Sequence, residues 1–178
     1  MHKPFQIGSV KIDNPTVMAP MAGITDGPFR ILVKKNGCGL VCSEMLSANG
    51  LWYGSGKTRQ MMAHTLFERP ISIQIFGAKP DVMAEAAKMV EQAGADIVDI
   101  NFGCSVKKIM RNGAGAALMQ DMKAAEAVIT AVRAAVSVPL TIKIRSGWDA
   151  SGEDALMLAR VAQDCGVDAI AVHPRTIR

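Results

Sequence analysis

The chain has 178 residues, 49% of them hydrophobic, 20% charged and 4% aromatic, with a net charge of +4. That length sets a prior of one domain, and the apolar mass excludes a mainly disordered chain. No apolar stretch approaches the ~20 residues of a membrane span, and MHKPFQIGSVKI lacks the apolar region of a secretory signal.

Short apolar runs alternate with helical patterns along the chain. Thr16–Ala19 reads as a first strand. Pro28 to Asn36 follows as a helix, with Phe29, Leu32 and Val33 on one face and Gly37 as its stop. Leu40–Ser43 and Ile71–Ile75 are the second and third strands. Asp81 is expected to cap a helix whose stripe is Val82, Ala86, Met89, Val90 and Ala93, closed by Gly94. Ile97–Ile100 is the fourth strand. Ala125, Val128, Ile129, Val132 and Val136 form the next stripe, and Pro139 bars its continuation. Leu140–Ile144 is the fifth strand. Ser151 with Asp154 resembles a capping box ahead of a helix through Leu158, Ala162 and Cys165, ended by Gly166. Ala169–Val172 is the sixth strand. Strand–helix repetition predicts a parallel α/β architecture, and a doubly wound sheet and a (β/α)8 barrel both fit. GxGxxG is absent after the first strand, which weakens the dinucleotide-fold reading.

The cysteines are Cys38, Cys42, Cys104 and Cys165. Without an export signal a reducing setting is expected, and no second pair completes a zinc site around Cys38 and Cys42. Cys38, Cys42 and Cys165 read as small buried hydrophobes. Cys104 differs, because it lies in NFGCS ahead of two lysines. An ordinary thiol, with a pKa of ~8.5, is mostly protonated at neutral pH and can donate a proton. Nothing nearby reads as a triad base, so acid and nucleophile are both open to it.

In a barrel, functional side chains gather at the C-terminal ends of strands. Those ends bring up Ala19–Gly23, Ser43–Met45, Gln74, Asn101–Cys104, Lys143 with Arg145, and His173. Lys143 and Arg145 share a face, since side chains alternate with period two. A buried lysine needs a partner, so the pair serves either a structural carboxylate or an anionic or electron-rich ligand. Glu44 could be an ion-pair partner for these cations, and His173 a satisfied structural histidine. Lys107, Lys108 and Arg111 are either a solvated face or a phosphate-backbone contact.

At these residues the sequence resembles the tRNA-dihydrouridine synthases, in particular the bacterial B-type branch. The segments are APMAGITDGPFR, SEMLS, IQIFG, DINFGCSVKK, GAGAALMQD, IKIRSGWD and the final HPRTIR, in the family's order. The resemblance implies an FMN-containing (β/α)8 TIM barrel that uses NADPH to reduce a uridine in tRNA to 5,6-dihydrouridine. The flavin is reduced first and passes a hydride to C6 of the uracil, while the family's cysteine delivers a proton to C5. Cys104 matches that cysteine. Pro20, Met21 and Ala22 match the segment against the flavin. Gln74 and Lys143 match the flavin-ring contacts, and His173 a residue near its phosphate side. Asn101 and Arg145 match residues holding the flipped-out base, which must leave its stack to be reached. The family usually has proline where Ser105 stands and glycine where Pro174 stands.

The resemblance also implies a tRNA partner, a cytoplasmic setting, neither metal nor membrane, and a monomer for the complete enzyme. Six strands are readable, whereas a closed barrel needs eight and about 250 residues. Residues 1–178 are therefore expected to be the N-terminal part of the barrel, without strands seven and eight or the family's C-terminal helical tRNA-binding domain. Alternatives are a non-catalytic fragment that binds FMN poorly, or an FMN barrel reducing a free pyrimidine.

Overall fold

Aliphatic runs too short for helices pair side by side and bury both faces, as parallel strands do. The computed structural model describes residues 4–178. Its main sheet contains β3 (Val41–Cys42), β4 (Leu46–Ser47), β5 (Ile71–Phe76), β6 (Ile97–Asn101), β7 (Leu140–Arg145) and β8 (Ala169–His173). The order is β3-β5-β6-β7-β8, all pairs parallel, with β4 also on β5. This is the curled part of a (β/α) barrel. The helices are α1 (Gly27–Lys35), α2 (Ala48–Trp52), α3 (Gly56–Gln60), α4 (Pro80–Gln92), α5 (Lys107–Arg111), α6 (Met122–Ala135) and α7 (Glu153–Asp164).

Alternation sorts the side chains of the sheet. Ile71, Ile73, Ile75, Val98, Ile100, Leu140, Ile142 and Ile144 face the helices and form one core with Val82, Met83, Ala86 and Val90 of α4 and Val128, Ile129 and Val132 of α6. The other face carries Gln74 opposite Asp99, Asp99 opposite Thr141, Asn101 opposite Lys143, and Arg145 opposite His173. The concave face is thus polar, and the register lines its groups up in rungs.

Two short strands precede the sheet. β1 (Phe5–Ile7) and β2 (Val10–Ile12) form an antiparallel hairpin that the sequence reading did not find. Strands of three residues carry too little alternation to register. Ile7 and Ile12 pack on Leu40 and Ile97, so the hairpin covers the N-terminal end of the sheet. Gly8 turns it at φ +54, and a Cβ there would lie 2.8 Å from the Pro139 ring and the Asp168 carboxylate.

Several expected elements need correcting. Thr16–Ala19 is not a regular strand but a single parallel bridge, Val17 to Leu40. Pro15 and Pro20 flank it, and neither has an N–H to extend a ladder. The expected strand Leu40–Ser43 is present as β3 at its centre, and β4, which the sequence did not suggest, follows where the chain arches at 43–45 and rejoins β5. Asp81 does not cap α4: the N-cap is Lys79, and Pro80 opens the helix with Asp81 in its first turn. Ser151 and Asp154 form no capping box. Gly152 is the N-cap, at φ +69, and Asp154 instead accepts the Trp148 N–H at 3.3 Å.

Candidate active site

The polar face of the sheet opens at its C-terminal end into a cavity of about 250 Å³. Pro20, Ala22, Gln74, Asn101, Cys104, Lys143, Arg145 and His173 all line it, together with Met45, Gly103 and Val106. The chain brings these together from segments up to the width of the whole sheet apart. Of the expected site residues only Met21 is outside the lining. It is 38% exposed, and its N–H donates to the Thr25 hydroxyl at 3.1 Å within its own turn.

Gln74, Asn101 and Asp99 are buried and hydrogen-bonded to one another. Gln74 Nε2 donates to Asp99 Oδ2 at 2.6 Å, and Asn101 Nδ2 donates to Gln74 Oε1 at 2.9 Å. The Thr141 hydroxyl donates to Asp99 Oδ1 at 2.5 Å. Asn101 Oδ1 in turn accepts the backbone N–H groups of Gly103 at 3.2 Å and Cys104 at 2.9 Å. Asn101 therefore folds the loop that presents Cys104. The Cys104 carbonyl accepts the Ala116 N–H at 3.0 Å from the far side, and its side chain is half-buried at the cavity wall.

Arg145 ties the same loop down. Its Nε donates to the Gly103 carbonyl at 2.9 Å and Nη1 to the Thr176 carbonyl at 3.1 Å. Nη2 reaches the Ser105 hydroxyl at 3.4 Å, an acceptor that a proline at this position would not offer. Glu44 is no counter-ion for these cations: its Oε1 accepts the Gly23 N–H.

Lys143 is half-buried and makes no ion pair among the described residues. Burial pulls its ammonium below the usual lysine range, the charge of Asp99 opposes this, and Arg145 adds to it. Burial likewise pushes the Asp99 carboxyl up, against the bonds from Thr141 and Gln74. His173 is held below its usual value first by desolvation and then by Lys143, Arg145 and Arg175. Its Nδ1 is shielded and has no hydrogen-bond partner among the described residues. A lysine without a carboxylate and a histidine nitrogen without a partner both suit an anionic, hydrogen-bonding ring system in the cavity. Cys42, by contrast, is fully buried, its pKa driven far up by desolvation, and it remains an inert thiol.

Sequence reasoning assigned nothing to Asp99, Thr141, Arg30 or Glu68. Asp99 was legible as the one acid inside the apolar run IVDIN. Arg30 and Glu68 form a buried ion pair at 2.6 Å, and nothing in the exposed-looking turn around Glu68 signals that. Lys107, Lys108 and Arg111 sit on the exposed helix α5 beside the site. Lys108 and Lys79 line a second cavity of about 630 Å³, which shares Val106 with the first.

The fold recurs in solved structures of distant sequence. The structure of 6-hydroxypseudooxynicotine amine oxidase from Pseudomonas geniculata N1 superposes with a TM-score of 0.69, at 15% identity, over 98% of this chain and 38% of that one. Histamine dehydrogenase from Rhizobium sp. 4-9 gives 0.66 at 12% identity, over 96% and 36%. At these identities the likeness is one of fold. The sequence resolves the family. The dihydrouridine synthase (Dus) profile matches residues 17–178, and the chain belongs to that family. The tRNA-dihydrouridine synthase B of Xanthomonas axonopodis pv. citri is 46% identical over 172 residues, 97% of this chain and 52% of that protein. That of Shewanella oneidensis is 45% identical, over 97% and 53%. The chain thus spans about half the length of the curated relatives it matches.

Proposed function

We propose that this chain supplies the Cys104 half of the active site of an FMN- and NADPH-dependent enzyme that reduces a uridine in tRNA to 5,6-dihydrouridine. The observation that carries the reading is the convergence of Cys104, Asn101, Gln74, Lys143, Arg145 and His173 on one cavity. Lys143, Gln74 and His173, with the Pro20–Ala22 segment, would hold the flavin. The unpaired Lys143 ammonium and the partnerless His173 Nδ1 are what fit it. FMN, when bound, supplies the hydride chemistry, and NADPH renews it.

The protein's own residues supply the proton and the charge. Cys104 donates a proton to C5 of the base from the cavity wall. Arg145 places positive charge where negative charge grows on the uracil carbonyls, while the Lys143 ammonium would lie against the flavin ring. The Asn101 amide spends its oxygen on the cysteine loop, so it orients Cys104 more than it grips the base. The exposed cations of α5 lie where a phosphate backbone would pass the cavity, which favours a base within tRNA over free uracil.

The test uses the whole protein carrying Cys104→Ala. NADPH should still bleach the flavin absorbance, while dihydrouridine formed in tRNA, read by mass spectrometry, falls at least 100-fold. Equal loss of both half-reactions would overturn the acid role. Raising salt should weaken tRNA binding steeply and leave flavin binding unchanged.

A further inference from the structure

We infer that Asp99 is a positioning residue, whose side-chain oxygens take the Gln74 and Thr141 donors, hold the Gln74 and Asn101 amides in one direction, and through them keep the Cys104 loop closed. The inference deepens the reading of Cys104 as the proton donor and rests on it for its catalytic meaning.

Five hydrogen bonds link Thr141 to the Cys104 loop. Backbone N–H groups only donate and each side-chain amide has one accepting and one donating end, so a closed loop requires the chain to finish on an acceptor, the Asp99 oxygen that faces Gln74. Asp99 already receives the Thr141 hydroxyl on Oδ1, and its Oδ2 faces Gln74. Gln74 must therefore turn its NH2 toward Asp99 and its oxygen toward Asn101. Asn101 must then turn its NH2 toward Gln74, which leaves Oδ1 for the Gly103 and Cys104 N–H groups. Reverse the first amide and every later one reverses. Asn101 would then present an NH2 to two N–H donors, and the loop would lose its closure. The sheet register places Gln74 and Thr141 directly across from Asp99 on either side, so the chain of bonds is built into the fold. Asp99 is 6% exposed and Gln74 1%, so the bonds between them are largely screened from solvent.

A carboxylate kept only to satisfy Thr141 would predict nothing about Cys104. The positioning role predicts a specific pattern of loss and rescue. Asp99→Asn offers either end to Gln74, because the Thr141 hydroxyl can turn to accept. With the reversed direction now open to it, the Cys104 N–H should exchange with deuterium at least three-fold faster than in the parent. Gln74→Leu, which cuts the chain without touching Asp99, should do the same. Adding Asp99→Asn to Gln74→Leu should change nothing more. The double variant Asp99→Asn with Asn101→Asp should restore protection. In it the whole chain runs in the opposite direction, yet an oxygen still faces Gly103 and Cys104.

Alkylation by iodoacetamide, followed at each cysteine by mass spectrometry, gives a second readout. Asp99→Asn should change the Cys104 rate at least three-fold and the Cys38 and Cys165 rates less than two-fold. Thr141→Val, which leaves the direction intact, should leave Cys104 unchanged. A Cys104 N–H as protected in Asp99→Asn as in the parent would overturn the inference. So would a double variant no better than Asp99→Asn, or cysteines that all change together. Neither readout involves tRNA or flavin. A wild-type rate of dihydrouridine formation in Cys104→Ala would therefore sink the functional reading while leaving the positioning result standing.

Discussion

Removing the carboxylate of Glu68 should destabilise the protein by about 4 kcal/mol. Glu68 is 1% exposed and Arg30 3%. Glu68 Oε2 accepts Arg30 Nε at 2.6 Å, and its Oε1 accepts the Thr65 N–H at 2.7 Å. The guanidinium also donates to the Thr25 carbonyl at 2.9 Å and the Ala63 carbonyl at 3.0 Å. In Glu68→Ala the guanidinium keeps those two carbonyls and loses its only counter-charge. Breaking a buried pair from one side costs about 3–5 kcal/mol. Two charge-assisted bonds at about 1.5–3 kcal/mol each give about 3–6 kcal/mol, which overlaps that range. With a urea slope of about 2 kcal/mol per molar, the midpoint should fall by about 2 M. Replacing both partners, Arg30→Met with Glu68→Leu, should recover most of that loss, because no orphan charge remains. A single-variant loss under about 1 kcal/mol would refute the reasoning, as would a double variant whose loss equals the sum of the two singles. The consequence reaches the site. Arg30 holds the Thr25 carbonyl, and the Thr25 hydroxyl holds Met21. Pro20 and Ala22, on the same turn, line the cavity.

Three further outcomes test other parts of the molecule. Gly115→Ala should displace the cysteine loop, since φ there is +62 and a Cβ would meet the Cys104 carbonyl at 2.7 Å. The backbone strain alone costs about 1–2 kcal/mol, and an unchanged Cys104 alkylation rate would contradict the packing. Glu91 accepts from the Ser137 hydroxyl at 2.6 Å and from the Ser137 and Val138 N–H groups. Those bonds, the hydroxyl first, hold its carboxyl below the ordinary 4.5 despite some desolvation. The native state then binds fewer protons than the unfolded one, so the stabilisation is complete above about pH 4.5 and lost as pH falls through the folded value. The stability gap between parent and Glu91→Gln, from urea melts, should accordingly close on acidification, and a constant gap would count against it. Finally, Lys143→Met in the whole protein should weaken FMN binding at least ten-fold by fluorescence titration, whereas retained affinity would remove Lys143 from the flavin site.

The parts of the fold that were legible in the sequence are those where burial forces a pattern. Ile71–Ile75, Ile97–Ile100 and Leu140–Ile144 read as strands because the helix-facing positions are aliphatic without exception. What escaped was set by partners distant in sequence. The turn at Glu68 looks polar and exposed until Arg30, 38 residues earlier, is folded against it. The arch between β3 and β4 is held by the Ser43 hydroxyl, which accepts the Gln74 N–H at 3.1 Å. The site divides the same way. Motif order placed Cys104, Asn101, Gln74, Lys143 and Arg145 in one neighbourhood, but the residue types alone leave their mutual roles open. Asn101 and Arg145, expected to hold a base, direct four of their bonds to the cysteine loop itself. Ser105 is the telling case. It stands where the family usually has proline, and its hydroxyl gives Arg145 an additional hold on that loop. A proline stiffens by removing backbone freedom, and a serine here stiffens by accepting a charged donor. The two solutions differ in one testable respect, because only the second depends on Arg145. In this chain Arg145→Met should therefore loosen the Cys104 loop more than Ser105→Pro does, measured by amide exchange at Cys104.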